Sequence, residues 1–366
     1  MNIDTNQALA FLSRLGAEPA ISFYEEGVLS VIKTILQEIG VKYTVDSYGN
    51  IIAKIEGDKP YSEPSVAFMA HTDHPGFEGI TELEPGMLRA VAMGGVPVSS
   101  FSKEIPLCVL QSNGERIKAH TCGRIGTDEE RQILIKLATA EPVRLPCAIV
   151  FDLEDFELDG QFIRMRALDD LAGCGSILAM LSILVESKLD ADVYGIFTRA
   201  EEVGLVGARL LAESRVLDDN VIVVSLESSR VLPGAEQGKG PVIRVGDAAF
   251  TFSGEAESIL IKAREELRSH DEDFAVQRQL MSGGTCEASA FALYGYRTTG
   301  IAFPLGNYHN GTPEGGIDAE YIHQQDYFGG IRLMVESVRQ VANRYDTTFR
   351  NRLRDVDINQ RTRLIT

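Results

Sequence analysis

Apolar and polar positions along this chain follow two periods, and the changes between them divide it into three regions. From residue 5 the spacing is helical. It predicts helices over 5–15 and 21–39, the second with Val28, Ile32, Ile35, Leu36 and Ile39 on one face and Gly40 as its stop. Residues 41–47 alternate as a strand, Tyr48-Gly49-Asn50 turns the chain, and Ile51–Ile55 returns. Ser65–Ala70 is a short apolar run of the buried-strand kind. From about Gly76 to Arg164 helical spacing almost vanishes, apart from a stretch at 128–139 that reads as a helix. Short apolar pieces, among them Met87–Ala92 and Pro106–Leu110, are cut by Gly, Pro and Asn, as in a small β-rich unit. Alternation of helix and strand resumes at Asp169. Leu171–Leu184 reads as a buried helix, and Val193–Phe197, Val221–Leu226 and Thr299–Phe303 read as buried strands. A last long helix is predicted over 319–345, with Phe328, Ile331, Met334, Val335, Val338 and Val341 on one face.

Strands joined through helices imply crossover connections. The expected fold class is α/β: an open mixed sheet, mostly parallel at its centre and flanked by helices. Residues 1–75 and 165–366 would form this main domain, with 76–164 inserted as the β-rich one. A chain of 366 residues, 44% hydrophobic and 24% charged, is long enough for one large domain plus a smaller one. Its net charge of −18 argues against nucleic acid and against an anionic membrane surface as partners. No run approaches the roughly 20 apolar residues that span a bilayer. Met1–Thr5 lacks a signal-peptide pattern, and Cys108, Cys122, Cys147, Cys174 and Cys286 are scattered without a C-x-x-C pair. The expectation is a cytoplasmic protein with reduced thiols.

Ligands of open α/β sheets bind beyond the carboxyl ends of the strands. His71-Thr72-Asp73, Glu201-Glu202, Glu227 and His309 all follow apolar runs that end there, and Asp169-Asp170 precedes the buried helix. Each has an ordinary explanation alone. Asp169-Asp170 fits a helix N-cap, Asp73 a loop cap, and Glu201-Glu202 the acidic first turn of a helix. Adjacent carboxylates nevertheless repel, and need something positive beside them or a shared proton. Of six histidines, His71 and His309 are the two set in small-residue loops after strands. Two histidines with three carboxylates make a mixed nitrogen and oxygen donor set suited to zinc, cobalt or manganese.

Five motifs then occur in order: Ala70-His71-Thr72-Asp73, Ala167-Leu168-Asp169-Asp170-Leu171-Ala172-Gly173-Cys174, Glu201-Glu202-Val203-Gly204-Leu205-Val206-Gly207-Ala208, Ser282-Gly283-Gly284-Thr285 and Tyr308-His309. In these the chain resembles the M42 family of co-catalytic metallo-aminopeptidases, the glutamyl and tetrahedral aminopeptidase group. It is more distantly similar to the M20 and M28 zinc exopeptidases and deacylases. The resemblance implies a zinc exopeptidase-like fold and two divalent metal ions per subunit, zinc first, with cobalt or manganese as alternatives. It implies that Asp169 bridges both, that His71 and Glu227 complete one site, and that Glu202 and His309 complete the other. Glu201 would be the general base and acid, Asp73 would orient His71, and the Asp169–Asp170 peptide would be cis. Two metals ~3.5–4 Å apart can share a water, and a neighbouring carboxylate can move its proton.

The implied activity is removal of N-terminal residues from short peptides by a homo-oligomer, with the insert forming contacts and restricting access. His120, in the insert, could reach a neighbouring subunit's site. An M20-like deacylase or carboxypeptidase-type hydrolase is the alternative enzyme, and a metal-binding homologue without activity is the alternative from another class. Four positions depart from the family's usual residues. Glu227 and Cys286 stand where Asp is usual, Asn307 where Arg is common, and Leu171 where Arg or Lys is frequent.

Overall fold

The structure, a computed structural model, describes residues 3–58 and 63–365. Helices α1 (Thr5–Gly16) and α2 (Glu26–Glu38) lead into β1 (Lys42–Val45), β2 (Ile51–Ile55) and β3 (Val66–His71). Asp4 caps α1 by accepting the Gln7 N–H at 3.0 Å. The helix expected from 21 starts only at 26. Phe23 has φ +74°, which a helix cannot carry, and buried Glu25 accepts the Phe23 N–H instead.

Strands β4 (Gly76–Glu84), β5 (Met87–Met93), β6 (Pro106–Leu110), β7 (Arg116–Ile125), β8 (Gln132–Leu137) and β9 (Cys147–Phe151) close a barrel in the order β4-β5-β8-β7-β6-β9. Its interior is Phe77, Leu88, Leu107, Val109, Ile133, Ile135, Ile149 and Phe151. The helix expected at 128–139 is β8 in fact. Ile133, Ile135 and Leu137 alternate inward, a period of two, and β5 and β7 pair on either side.

The expected insert boundary at 164 falls inside β11. Both β10 (Glu157–Asp159) and β11 (Phe162–Met165) are hydrogen bonded into the large sheet. After them come α3 (Leu171–Leu184), β12 (Val193–Thr198), α4 (Val206–Ser214), β13 (Ile222–Arg230), β14 (Val242–Arg244), α5 (Gly254–His270), β15 (Gln277–Gln279), α6 (Glu287–Leu293), β16 (Arg297–Gly306), β17 (Glu320–His323), α7 (Gln324–Arg339), α8 (Thr348–Arg354) and α9 (Ile358–Ile365).

Among the described residues, eleven strands form the large sheet, whose main path runs β1-β2-β12-β3-β13-β16-β17-β11-β10. Its four central strands, β12, β3, β13 and β16, are parallel, and antiparallel pairs flank them. The sheet as a whole is mixed. Helix α3 is apolar all round and almost wholly buried against α1, α7 and β3, as a helix with no polar face must be.

The long helix expected over 319–345 divides. Glu320–His323 pairs with β16 and β11 as strand β17, with Glu320 and Ile322 inward, and α7 begins only at Gln324. Pairing to two strands overrides helical spacing there. No helix among the described residues is long and apolar enough to cross a membrane.

Candidate metal centre

The carboxyl ends of the parallel strands carry the site. His71 is the last residue of β3, Glu201 and Glu202 follow β12, and Glu227 lies within β13, which runs on to Arg230. His309 sits in a short helical turn after β16. Asp169 precedes α3, and its peptide to Asp170 is cis. Asp170 is the N-cap of α3, accepting the Gly173 N–H at 3.1 Å.

Two triads share Asp169. Asp169 Oδ1 is 3.3 Å from His71 Nε2, and Asp169 Oδ2 is 3.5 Å from His309 Nε2. Glu227 Oε1 stands 3.9 Å from His71 Nε2, and Glu202 Oε1 stands 3.4 Å from His309 Nε2. The donor atoms of His71, Asp169 and Glu227 lie within 4.8 Å of one another, as do those of Asp169, Glu202 and His309. Glu201 Oε2 is 4.0 Å from His71 Nε2. All seven residues expected in the site from the sequence, Asp73 included, are therefore brought to one place.

Asp73 faces both His71 and the two glutamates. The nearest group to His71 Nδ1 is the Asp73 carbonyl oxygen at 3.0 Å, with the carboxylate farther away at 3.6 Å. The carboxylate instead accepts the N–H groups of Glu201 and Glu202, at 2.9 and 3.1 Å, and the Ser22 hydroxyl at 2.6 Å. Asp73 therefore aims the two glutamates more directly than it aims His71.

Three orienting residues had no motif to announce them. Glu320 accepts the N–H groups of Leu168, Asp169 and His309 at 2.8, 3.0 and 2.9 Å, so one buried carboxylate fixes parts of both triads. His74 spans from the Asp169 carbonyl to Asn310 Oδ1, each at 2.9 Å, and is buried structure and no part of either triad. Gly95, in the barrel connection after β5, places its carbonyl 3.0 Å from His309 Nδ1 and its N–H 3.4 Å from Glu202. A Cβ at Gly95 would meet the His309 ring at 2.1 Å, so only glycine allows that approach. His120 lies on the barrel, 4.0 Å from Glu104 and apart from these residues.

The cluster holds more negative than positive charge. Burial, then the neighbouring Asp169, raises Glu227 to about 8, and burial with Asp169 raises Glu202 to about 7. Burial, then Glu227 and Glu202, raises Glu201 well above the carboxylate range. Burial opposes charging of His309, but Glu202 and Asp169 outweigh it and hold the imidazole at about 9. Asp169 Oδ1, Glu202 Oε1 and Glu227 Oε2 are buried without a hydrogen-bond partner. Orphaned carboxylate oxygens beside imidazole nitrogens are what divalent cations satisfy, so this donor set fits two such ions.

A small cavity of about 50 Å³ opens beside Glu227, lined by Ser229, Arg230, Leu232, Arg244, Met281, Thr285 and Tyr308. Arg244 is fully buried there. Its Nη1 is 3.5 Å from Glu227, and both Nε and Nη1 lack hydrogen-bond partners. At the rim the exposed Arg230 guanidinium lies 4.9 Å over the Tyr308 ring. The unusual Cys286 is buried and donates its backbone N–H to Asp247 at 3.1 Å, while Asn307 bonds the Ala319 carbonyl.

A family model described as M42 glutamyl aminopeptidase matches residues 138–327. A protein of Acetivibrio thermocellus, whose name marks it provisionally as an aminopeptidase, is 24% identical over 336 residues, covering 86% of this chain and 92% of that one. The lysyl aminopeptidase of Pyrococcus furiosus is 25% identical over 262 residues, covering 64% and 72%. Two solved structures share the fold. The TET aminopeptidase from the Thaumarchaeota archaeon SCGC AB-539-E09 has TM-score 0.78 and 20% identity, covering 92% of this chain and 99% of that one. The TET1 peptidase of Pyrococcus horikoshii, which can assemble into a tetrahedron or a large octahedral shell, has TM-score 0.73 and 24% identity, covering 90% and 99%.

Proposed function

The chain belongs to the M42 glutamyl aminopeptidase family, and is a peptide-bond hydrolase of the metal-dependent exopeptidase kind; from the site's geometry we propose how its residues divide that work. His71, Asp169 and Glu227 would hold one divalent cation, and Asp169, Glu202 and His309 a second, with Asp169 shared. Zinc suits this mixed donor set best, with cobalt and manganese next. The observation that carries the reading is Asp169, whose two oxygens face two different imidazoles 3.3 and 3.5 Å away. Cations so held would polarise the scissile carbonyl and make water acidic at neutral pH.

The chain's own residues would do the rest. Glu201 takes a proton from water at one carboxylate oxygen and returns it to the nitrogen of the leaving peptide. Burial and its acidic neighbours raise its proton affinity, and bound cations would offset that rise and leave the carboxylate free to accept a proton. Asp73, through the Glu201 and Glu202 N–H groups, holds the two side chains in their separate directions. Short peptides with a free N-terminus are the proposed substrates. The chain would assemble with copies of itself in the cytoplasm.

The cavity beside Glu227 supports an acidic first residue. A carboxylate entering it would meet Arg244, whose buried Nε and Nη1 make no hydrogen bond and whose Nη1 faces only Glu227 at 3.5 Å, and Arg230 at the rim. The test is a panel of glutamyl, aspartyl, leucyl and lysyl anilides and N-acetylated amino acids, run with zinc, cobalt and manganese. Glutamyl or aspartyl anilide should be preferred, and Arg244→Leu should lower kcat/KM for it by about 10–200-fold beyond the loss on leucyl anilide, which reads the effect on the neighbouring Glu227. Hydrolysis confined to N-acetylated substrates would contradict the aminopeptidase assignment. Equal rates on leucyl and glutamyl anilides would contradict the pocket.

A further inference from the structure

After Thr347 the chain leaves the body. Every described residue from Asn351 to Ile365 is exposed, and neither α8 nor α9 buries a residue. Their apolar side chains are nevertheless spaced as a packing face. Phe349 and Leu353 stand i, i+4 on α8, and Ile358 and Ile365 repeat seven apart on α9, with Leu364 beside them; Val356, in the link, is exposed too. Helices of seven and eight residues are marginal alone in water, so this face needs a surface to lie on.

Charge says which surface. Residues 347–366 contain five arginines and two aspartates, a net +3, which leaves −21 on the rest of the chain. Such an arm is repelled by basic partners and attracted by the acidic body of this same protein. We propose that residues 347–365 form a docking arm that seats on a second copy of this chain.

The arm's root locates the seat. Thr348 N–H bonds Glu265 of α5 at 3.0 Å, and Tyr345 reaches Glu255 at 2.6 Å. Arg297, the first residue of β16, joins Glu255 to Asn220 at 2.7 Å on each side. Asn220 ends the connection from α4, which exposes Val216 among Glu213, Asp218 and Asp219. Arg215 in this connection is itself 3.3 Å from Asp219, and Lys42, Lys54 and Glu56 line the groove beside Val216, with Lys54 paired to Asp192, so the patch is net acidic but not uniformly so. An acidic patch with an exposed apolar centre beside the root allows two copies to exchange arms about a twofold axis. Root and seat both lie at the amino ends of the parallel strands, at the far end from His71 and His309.

The experiment is sedimentation velocity and light scattering on the full chain over a concentration series, at about 0.05 and 0.5 M salt. It is repeated for a deletion of 348–366, for Arg352→Glu/Arg354→Glu/Arg361→Glu, and for Asp218→Arg/Asp219→Arg. Melting curves on each variant verify folding. The expected result is that the deletion lowers the assembled mass by at least one step. Each charge reversal should raise the dissociation midpoint by about tenfold or more, and high salt should do so in the wild type only. Combining the arm and seat reversals should restore assembly. Unchanged mass on deletion at every concentration and salt would overturn the proposal. So would unchanged self-association together with arm-dependent binding to phosphatidylserine-containing vesicles or to RNA.

Discussion

The two triads of the candidate metal centre are built by different means. The His71 half comes out of the sheet itself: β3 lies between β12 and β13, His71 is its last residue, and the imidazole rests on a carbonyl two residues away. Register alone places it, because Thr72 N–H bonds Thr198 and locks the β3 and β12 ends together. The His309 half has no such frame. Asn307, His309 and Asn310 all take left-handed backbone angles, φ +51°, +53° and +63°, which asparagine tolerates but which His309 needs its surroundings to hold. The surroundings here are Glu320, beneath the turn, and Gly95, from the barrel. The comparison teaches that the barrel is part of the site's construction: its Gly95 loop braces one half and leaves the other alone.

That asymmetry can be broken in graded ways. Asp169→Ala removes the residue both halves share. Metal content should fall from two ions to none, and kcat/KM by at least about 10³-fold, read by elemental analysis and anilide hydrolysis. Glu320→Gln keeps the shape but replaces one acceptor oxygen with a donor amide facing backbone N–H groups. Both ions should bind about 10–100-fold more weakly by competition with a chelator. Gly95→Ala should act on one half only. Its Cβ pushes the His309 ring, so one ion should weaken by about tenfold or more while the ion on His71 is retained. Loss of both ions together in Gly95→Ala would mean the halves are not separable.

The legible part of this protein was the part where local pattern and final environment agree. Helix α3 runs from Leu171 to Leu184 as its largely apolar run predicts, and the members of the two triads are legible as neighbours because strand ends converge. The missed parts were decided by partners distant in sequence. Residues 320–323 carry helical spacing yet pair as β17, and that pairing delivers Glu320 to Asp169 across 151 positions. Phe23 has no residue-type signal for its positive φ, which serves the buried Glu25–Arg199 pair, 2.7 Å apart. Residues 132–137 alternate in the sequence, and pairing on both sides makes that period of two prevail over the weaker helical spacing of 128–139. Gly95 could not be found from the sequence, because its importance is a close approach to a ring 214 residues away.

The central claim is that Glu201 and Glu202, adjacent in the chain, do different work, one moving a proton and the other holding a cation. Counting metal ions and measuring turnover in Glu201→Gln beside Glu202→Gln tests it directly. Glu201→Gln should keep two ions and lose about 10²–10⁴-fold in kcat, whereas Glu202→Gln should lose an ion along with its activity. Full turnover in Glu201→Gln, or loss of the same ion from both variants, would contradict it.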